Sequence, residues 1–157
     1  METTTPANEN SPQKRFEIDF TGSGNLRHAR AEDAFVQIGK EIKSNIKPGN
    51  KAGKDFTLTT LGLYTFIRML PPNWEFSIKG LQAVLPLGRT AIQHEISILE
   101  SHGYIIRVRA KDEDGKFSKK TYWVTVDKSV YYPYVLEDLK ERGFYPYGNL
   151  AKEIKDV

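Results

Sequence analysis

The sequence predicts an α+β fold in which three helices precede a β-hairpin, and three features of residues 57–126 predict it. Apolar residues recur at helical spacing in three successive runs, separated by Pro71-Pro72 and by Pro86-Leu87-Gly88. Gly103 ends the last of these runs, and two stretches of alternating apolar and polar residues follow. A charged segment, 112–118, joins the two stretches as a hairpin loop. That order is the plan of a winged helix-turn-helix: a three-helix core plus a β-hairpin wing, here with a short C-terminal helical extension.

Thr57 stands at the N-cap of the first helix (57–70), where a hydroxyl accepts an amide hydrogen that the helix start leaves unpaired. Leu58, Leu61, Leu63, Tyr64, Phe66, Ile67 and Leu70 are apolar on more than one face, which predicts burial on most sides. Ser77 caps the second helix, with Ile78, Leu81, Val84 and Leu85 inward. Pro86 stops it, because proline has no amide hydrogen to continue the ladder. In the third helix, which begins at Arg89, Ile92, Ile96 and Leu99 share one face. Gly103 ends it by accepting a left-handed conformation. On the first strand (104–111) Ile106 and Val108 point one way, and Arg107, Arg109 and Lys111 the other. On the return strand Tyr122, Val124 and Val126 form the apolar face, while Trp123 shares the opposite face with Thr121 and Thr125.

The flanks divide the chain into a flexible N-terminal segment (1–32), the domain (33–126) and an aromatic helical extension (127–157). Residues 1–15 have hardly an apolar side chain, so disorder is expected. Phe16, Ile18 and Phe20 alternate with acids and fit an edge strand, which Thr21-Gly22-Ser23-Gly24 breaks. The apolar run 34–38 reads as the first strand of the wing sheet. Residues 45–55 read as a flexible basic loop carrying Lys47, Lys51 and Lys54. After Asp127, Pro133, Leu136, Leu139 and Gly143 outline a short amphipathic helix, and 149–155 a second. These either pack on the domain or join two copies as a homodimer.

Composition narrows the function. The 157 residues are 39% hydrophobic and 27% charged, which supplies one core and excludes wholesale disorder. No apolar run reaches the roughly 18 residues of a membrane span, the N-terminus has no signal-peptide core, and cysteine is absent. A cytoplasmic protein with no membrane partner is expected. Lys and Arg exceed Asp and Glu by 14 to 9 within 33–126, whereas both flanks are slightly acidic. The positive charge therefore belongs to the domain, where it favours a polyanionic partner.

From Phe56 to Val126 the chain resembles the single winged-helix domains of phage and plasmid replication-initiator or replisome-organiser proteins of Gram-positive bacteria. The resemblance rests on Thr57-Leu58 and Gly62-Leu63, on 70–77 (Leu-Pro-Pro-Asn-Trp-Glu-Phe-Ser), on Gly80-Leu81 and on Gly88-Arg89-Thr90-Ala91-Ile92. It continues through 99–105 (Leu-Glu-Ser-His-Gly-Tyr-Ile) to a wing tip at Asp114-Gly115-Lys116-Phe117. It covers a little under half of the chain and implies DNA binding as a replication or transcription factor of a mobile element. The basic insert 45–55 and the aromatic C-terminal segment depart from that pattern.

The third helix is the expected reader of duplex DNA. Opposite Ile92 and Ile96 it presents Arg89, Thr90, Gln93, His94 and Ser97, and such N-terminal residues enter the major groove in helix-turn-helix proteins. Arg pairs with guanine and Gln with adenine, while Thr and Ser serve bases or phosphates. Arg107, Arg109, Lys111, Lys116, Lys119 and Lys120 of the wing are expected to hold the phosphate backbone. Asp112, Glu113 and Asp114 would point away from it and serve turn formation and solubility. Trp74 is expected against the first two helices, and Trp123 near the arginines or under the C-terminal segment.

Catalytic constellations are poor. Residues 49–54 fall one short of a phosphate-loop spacing, and Asp55 stands where Ser or Thr would ligate magnesium. His94 and His102 are too far apart on one helix to share a metal. The sequence thus predicts a non-enzymatic protein, without cofactor or metal, that binds double-stranded DNA with sequence preference and regulates transcription or replication. The alternative is a winged-helix adaptor that binds protein in a replication, conjugation or secretion complex.

Overall fold

The computed structural model describes residues 18, 20, 22–29, 38–71 and 74–147. In chain order these form β1 (Leu26–Ala29), α1 (Leu58–Met69), α2 (Ile78–Val84), α3 (Arg89–Ser101), β2 (Ile105–Lys111), β3 (Phe117–Val126), α4 (Tyr132–Glu141) and β4 (Phe144–Pro146). Short 3-10 turns lie at Lys40–Asn45 and Ser129–Tyr131. The fold is a mixed α+β arrangement around one four-stranded sheet, in the order β1-β3-β2-β4. No helix among the described residues is long and apolar enough to cross a membrane.

The α1–α2–α3–hairpin order follows the sequence pattern closely. The backbone of Thr57 is extended at the N-cap of α1, and its amide donates to Thr60 Oγ1 at 3.0 Å. Ser77 Oγ accepts from the Gly80 amide at 2.9 Å and starts α2. Gly103 leaves α3 with φ +83°, the left-handed geometry that a side chain disfavours. β2 and β3 pair antiparallel, with Arg107 opposite Trp123 and Val108 opposite Tyr122, so alternate residues reach opposite faces.

Each face of the sheet has its own core. On one, Leu26 and Ile105 join Leu63, Tyr64, Ile67, Leu81, Ile92, Ile96 and Leu99 from α1–α3. Trp74 and Trp123 pack at its margin. On the other, Ala29, Ile106, Val108, Val124 and Val126 meet Val135, Leu136 and Leu139 of α4. Each valine, leucine or isoleucine side chain withdrawn from water here contributes about 1.5–3 kcal/mol. The C-terminal helix is therefore a layer of the domain itself.

Several expectations need correction. Of the run 34–38 only Ile38 lies among the described residues, outside any strand. The strand beside β3 is β1, from within the segment expected to be flexible, which pairs in parallel with β3 through Leu26–Trp123 and Ala29–Val126. Ile18 and Phe20 form no strand; Ile18 is buried, and Phe20 stacks on Phe144 at 4.2 Å. The C-terminal segment also gives the sheet β4, antiparallel to β2 with Arg109 opposite Tyr145. Val84, expected inward, is half exposed at the last residue of α2, where the backbone becomes extended at Leu85. Leu58, at the first turn of α1, is largely exposed. Residues 1–15 and 149–155 lie outside the described residues.

Candidate nucleic-acid interface

Arg89, Thr90, Gln93, His94 and Ser97 are all exposed on α3, while Ile92, Glu95, Ile96, Ile98, Leu99 and Glu100 are buried. The helix thus turns its apolar face inward as its spacing requires, and both of its acids go with that face. Glu95 is only 3% exposed and accepts a hydrogen bond from Thr60 Oγ1 of α1 at 2.5 Å. Glu100 accepts two hydrogen bonds from Arg107 of β2, at 2.7 and 3.2 Å. The outer surface of α3 consequently carries arginine, histidine and neutral polar groups with no carboxylate. Ser97 donates to the Gln93 carbonyl at 3.0 Å, so toward solvent its hydroxyl offers lone pairs only.

The wing cations are divided. Arg107 is clamped: its guanidinium pairs with Glu100 and lies 4.5 Å from the ring centroid of Trp123 and 5.6 Å from that of Tyr147. Arg109 lies 4.1 Å from the Tyr147 ring. Lys111 sits 5.2 Å from Tyr145 and 5.4 Å from Phe117. Lys120 donates to the Ser23 carbonyl at 2.7 Å and covers Tyr122, on the face opposite Arg107. Lys116 and Lys119 are exposed. At the tip, Asp112 Oδ1 accepts from the Lys116 amide at 2.8 Å, so this acid builds the turn. Glu113 and Asp114 are exposed beside it.

Burial pushes the Glu100 carboxyl above its ordinary range, and the Arg107 guanidinium opposes that shift. At the more exposed Arg107 burial works against the charge, but the Glu100 carboxylate outweighs it and holds the guanidinium above its usual value. The pair ties the C-terminal half of α3 to β2.

The stacking of Tyr145 and Tyr147 on the wing cations was not foreseen. Its trace in the sequence is the alternation after Gly143, where Tyr145 and Tyr147 fall on one side of a strand and Phe144 on the other. The burial of Glu95 was also missed, although it lies three residues after Ile92 and four before Leu99. Among the described residues no group of His, Asp or Glu side chains is arranged to hold a metal ion. No protein-family model, curated protein or solved structure matches the chain.

Proposed function

We propose that this chain is a winged-helix protein that binds double-stranded DNA with sequence preference, reading the major groove with α3. The observation that carries the reading is the exposed arc of that helix. Five polar or cationic side chains lie together on it, and both carboxylates of the helix are withdrawn into the fold. An α-helix fits the major groove, where Arg89 and Gln93 have the donor patterns suited to guanine and adenine. Thr90, His94 and Ser97 add contacts to bases or phosphates.

The resemblance of residues 56–126 to replication-initiator and replisome-organiser domains makes regulation of transcription or replication in a mobile element the fitting role. Such a protein works in the cytoplasm and needs neither catalysis nor a cofactor. Lys116 and Lys119, free of aromatic or acidic partners among the described residues, suit phosphate contact from the wing better than the clamped Arg107 does.

Fluorescence anisotropy against genomic and random duplexes at two salt concentrations tests this. Binding should weaken with salt, and Arg89→Ala and Gln93→Ala should each cost about 1–3 kcal/mol on a preferred site while relaxing base preference. No salt-sensitive binding to any duplex would overturn the reading and favour the protein-binding adaptor.

A further inference from the structure

Residues 46–55 of the basic insert are tied by internal hydrogen bonds and lie beside α3. The side-chain amide of Asn50 donates to the carbonyls of Asn45, at 3.0 Å, and Phe56, at 2.7 Å, and so closes the segment at both ends. The Asp55 carboxylate accepts from the backbone amide of Lys51 at 3.0 Å, which turns the one acid of the insert onto its own backbone. Phe56, at the exit, meets the ring of His102 edge-on at 5.1 Å. Gly53, with φ +81°, passes so close to α3 that a Cβ there would come within 3.4 Å of His94 Nδ1.

At about 100° per residue, the exposed residues of α3 span an arc with Arg89 at one margin and His94 at the other. The insert borders the His94 margin. Lys47, Lys51 and Lys54 are all exposed, and none forms an ion pair among the described residues. This separates them from Arg107, two of whose donors Glu100 engages, and from Lys120, which is hydrogen-bonded to Ser23.

We infer, resting on the DNA-binding reading above, that residues 46–55 form a preordered arm whose Lys47, Lys51 and Lys54 grip the phosphates beside the groove that α3 enters. The ligand chemistry is the phosphodiester backbone, so the arm adds affinity without base preference. Its internal hydrogen bonds mean that little ordering entropy remains to be lost on binding.

The test uses the full chain and a fluorescein-labelled random-sequence duplex, titrated between about 50 and 200 mM salt. Two cations are removed from the arm in Lys51→Ala/Lys54→Ala, and two from the α4 side of the molecule in Lys128→Ala/Lys140→Ala. Each lost phosphate contact lowers the slope of log K against log salt by about 0.9. The arm variant should therefore lose about 1.8 from its slope, and across that fourfold salt range its affinity should fall about twelvefold less than that of the wild type. The α4-side variant should keep the wild-type slope, and Lys51→Arg/Lys54→Arg should restore it. Equal slopes for the two alanine variants, changed or unchanged, would overturn the arm while leaving DNA binding intact. A wild-type protein without salt-dependent binding would instead overturn the underlying reading, and the arm with it. Because both lysines are exposed, an unaltered unfolding transition should accompany the binding change.

Discussion

Replacing Glu95 by alanine should separate stability from the DNA binding proposed for α3. Thr60 is fully buried, and its hydroxyl accepts from the Thr57 amide while donating to Glu95. Glu95 thus completes a chain of hydrogen bonds joining the start of α1 to the middle of α3. A hydrogen bond to a charged group contributes about 1.5–3 kcal/mol, and its loss leaves the buried Thr60 hydroxyl only the longer contact, 3.4 Å, with Thr57 Oγ1. We expect Glu95→Ala to cost about 2–4 kcal/mol in urea unfolding, and Glu95→Gln, which keeps an acceptor oxygen, about 1 kcal/mol. A double-mutant cycle with Thr60→Ala should give a coupling of about 1–2 kcal/mol. Under conditions where every variant is folded, DNA affinity should stay unchanged, because the carboxylate is not on the outer surface. A surface carboxylate would behave in the opposite way: its removal would leave stability alone and tighten binding to phosphates. That pattern, with Glu95→Ala within about 0.5 kcal/mol of wild type, would refute both the packing and the acid-free face built on it.

Arg107→Ala should destabilise the protein by about 1–3 kcal/mol at neutral pH, since it leaves Glu100 buried without its partner. Burial raises the folded-state affinity of Glu100 for its proton, so its stabilising contribution is present below the unfolded-state carboxyl range and is lost as pH rises through the folded value. Arg107 opposes that shift by favouring the carboxylate, so the deficit of Arg107→Ala should shrink in urea titrations toward pH 4 as Glu100 is protonated, and a deficit that grows there would contradict the pairing of the two groups. Gly103→Val forces a branched side chain into φ +83° with its Cβ 3.4 Å from Tyr132, and should lower stability by at least about 1–2 kcal/mol by thermal unfolding. Leu139→Ala empties a fully buried position between α4 and the sheet and should cost about 2.7–5 kcal/mol in one cooperative transition. Separate transitions for α4 and the rest would contradict its place in the second core.

The central half of the fold was legible because its signals are local. Ser77 and Gly103 mark helix ends through chemistry acting within a few residues, and the alternation on β2 and β3 states which side chains face inward. β1 was illegible for the opposite reason. Leu-Arg-His-Ala shows no alternation, and all four residues are buried, because Arg27 and His28 find internal partners. Arg27 donates to the Leu26 and Phe20 carbonyls at 2.9 and 3.2 Å. His28 meets the hydroxyl of Thr125, 97 residues away. A polar segment satisfied inside the fold, by backbone carbonyls near it and a hydroxyl far along the chain, looks like a solvated one in sequence. β4 is only three residues long and becomes a strand by adding to the edge of β2. The arc of α3 was fully legible from periodicity, whereas the engagement of Arg107 depended on Glu100, Trp123 and Tyr147 meeting in space.

The same distinction changes what the net charge means. Nine acids stand against fourteen cations in residues 33–126, a modest excess if all are spread evenly over the surface. They are not spread evenly. Glu95 and Glu100 are buried, and Glu41 accepts from the Tyr104 hydroxyl at 2.5 Å. The carboxylates of Asp55 and Asp112 are turned onto backbone amides. Among the described residues the exposed acids of that region are Glu75 and, at the wing tip, Asp112, Glu113 and Asp114. Lys47, Lys51, Lys54 and Arg89 remain exposed, on the insert and on α3. A polyanion responds to the field at the surface it approaches, and low-dielectric walls beside such a surface strengthen that field. On the DNA-binding reading proposed above, the insert and the exposed arc of α3 therefore present cations with no exposed carboxylate among their own residues, whereas at the hairpin end Lys116 and Lys119 share the surface with Asp112, Glu113 and Asp114.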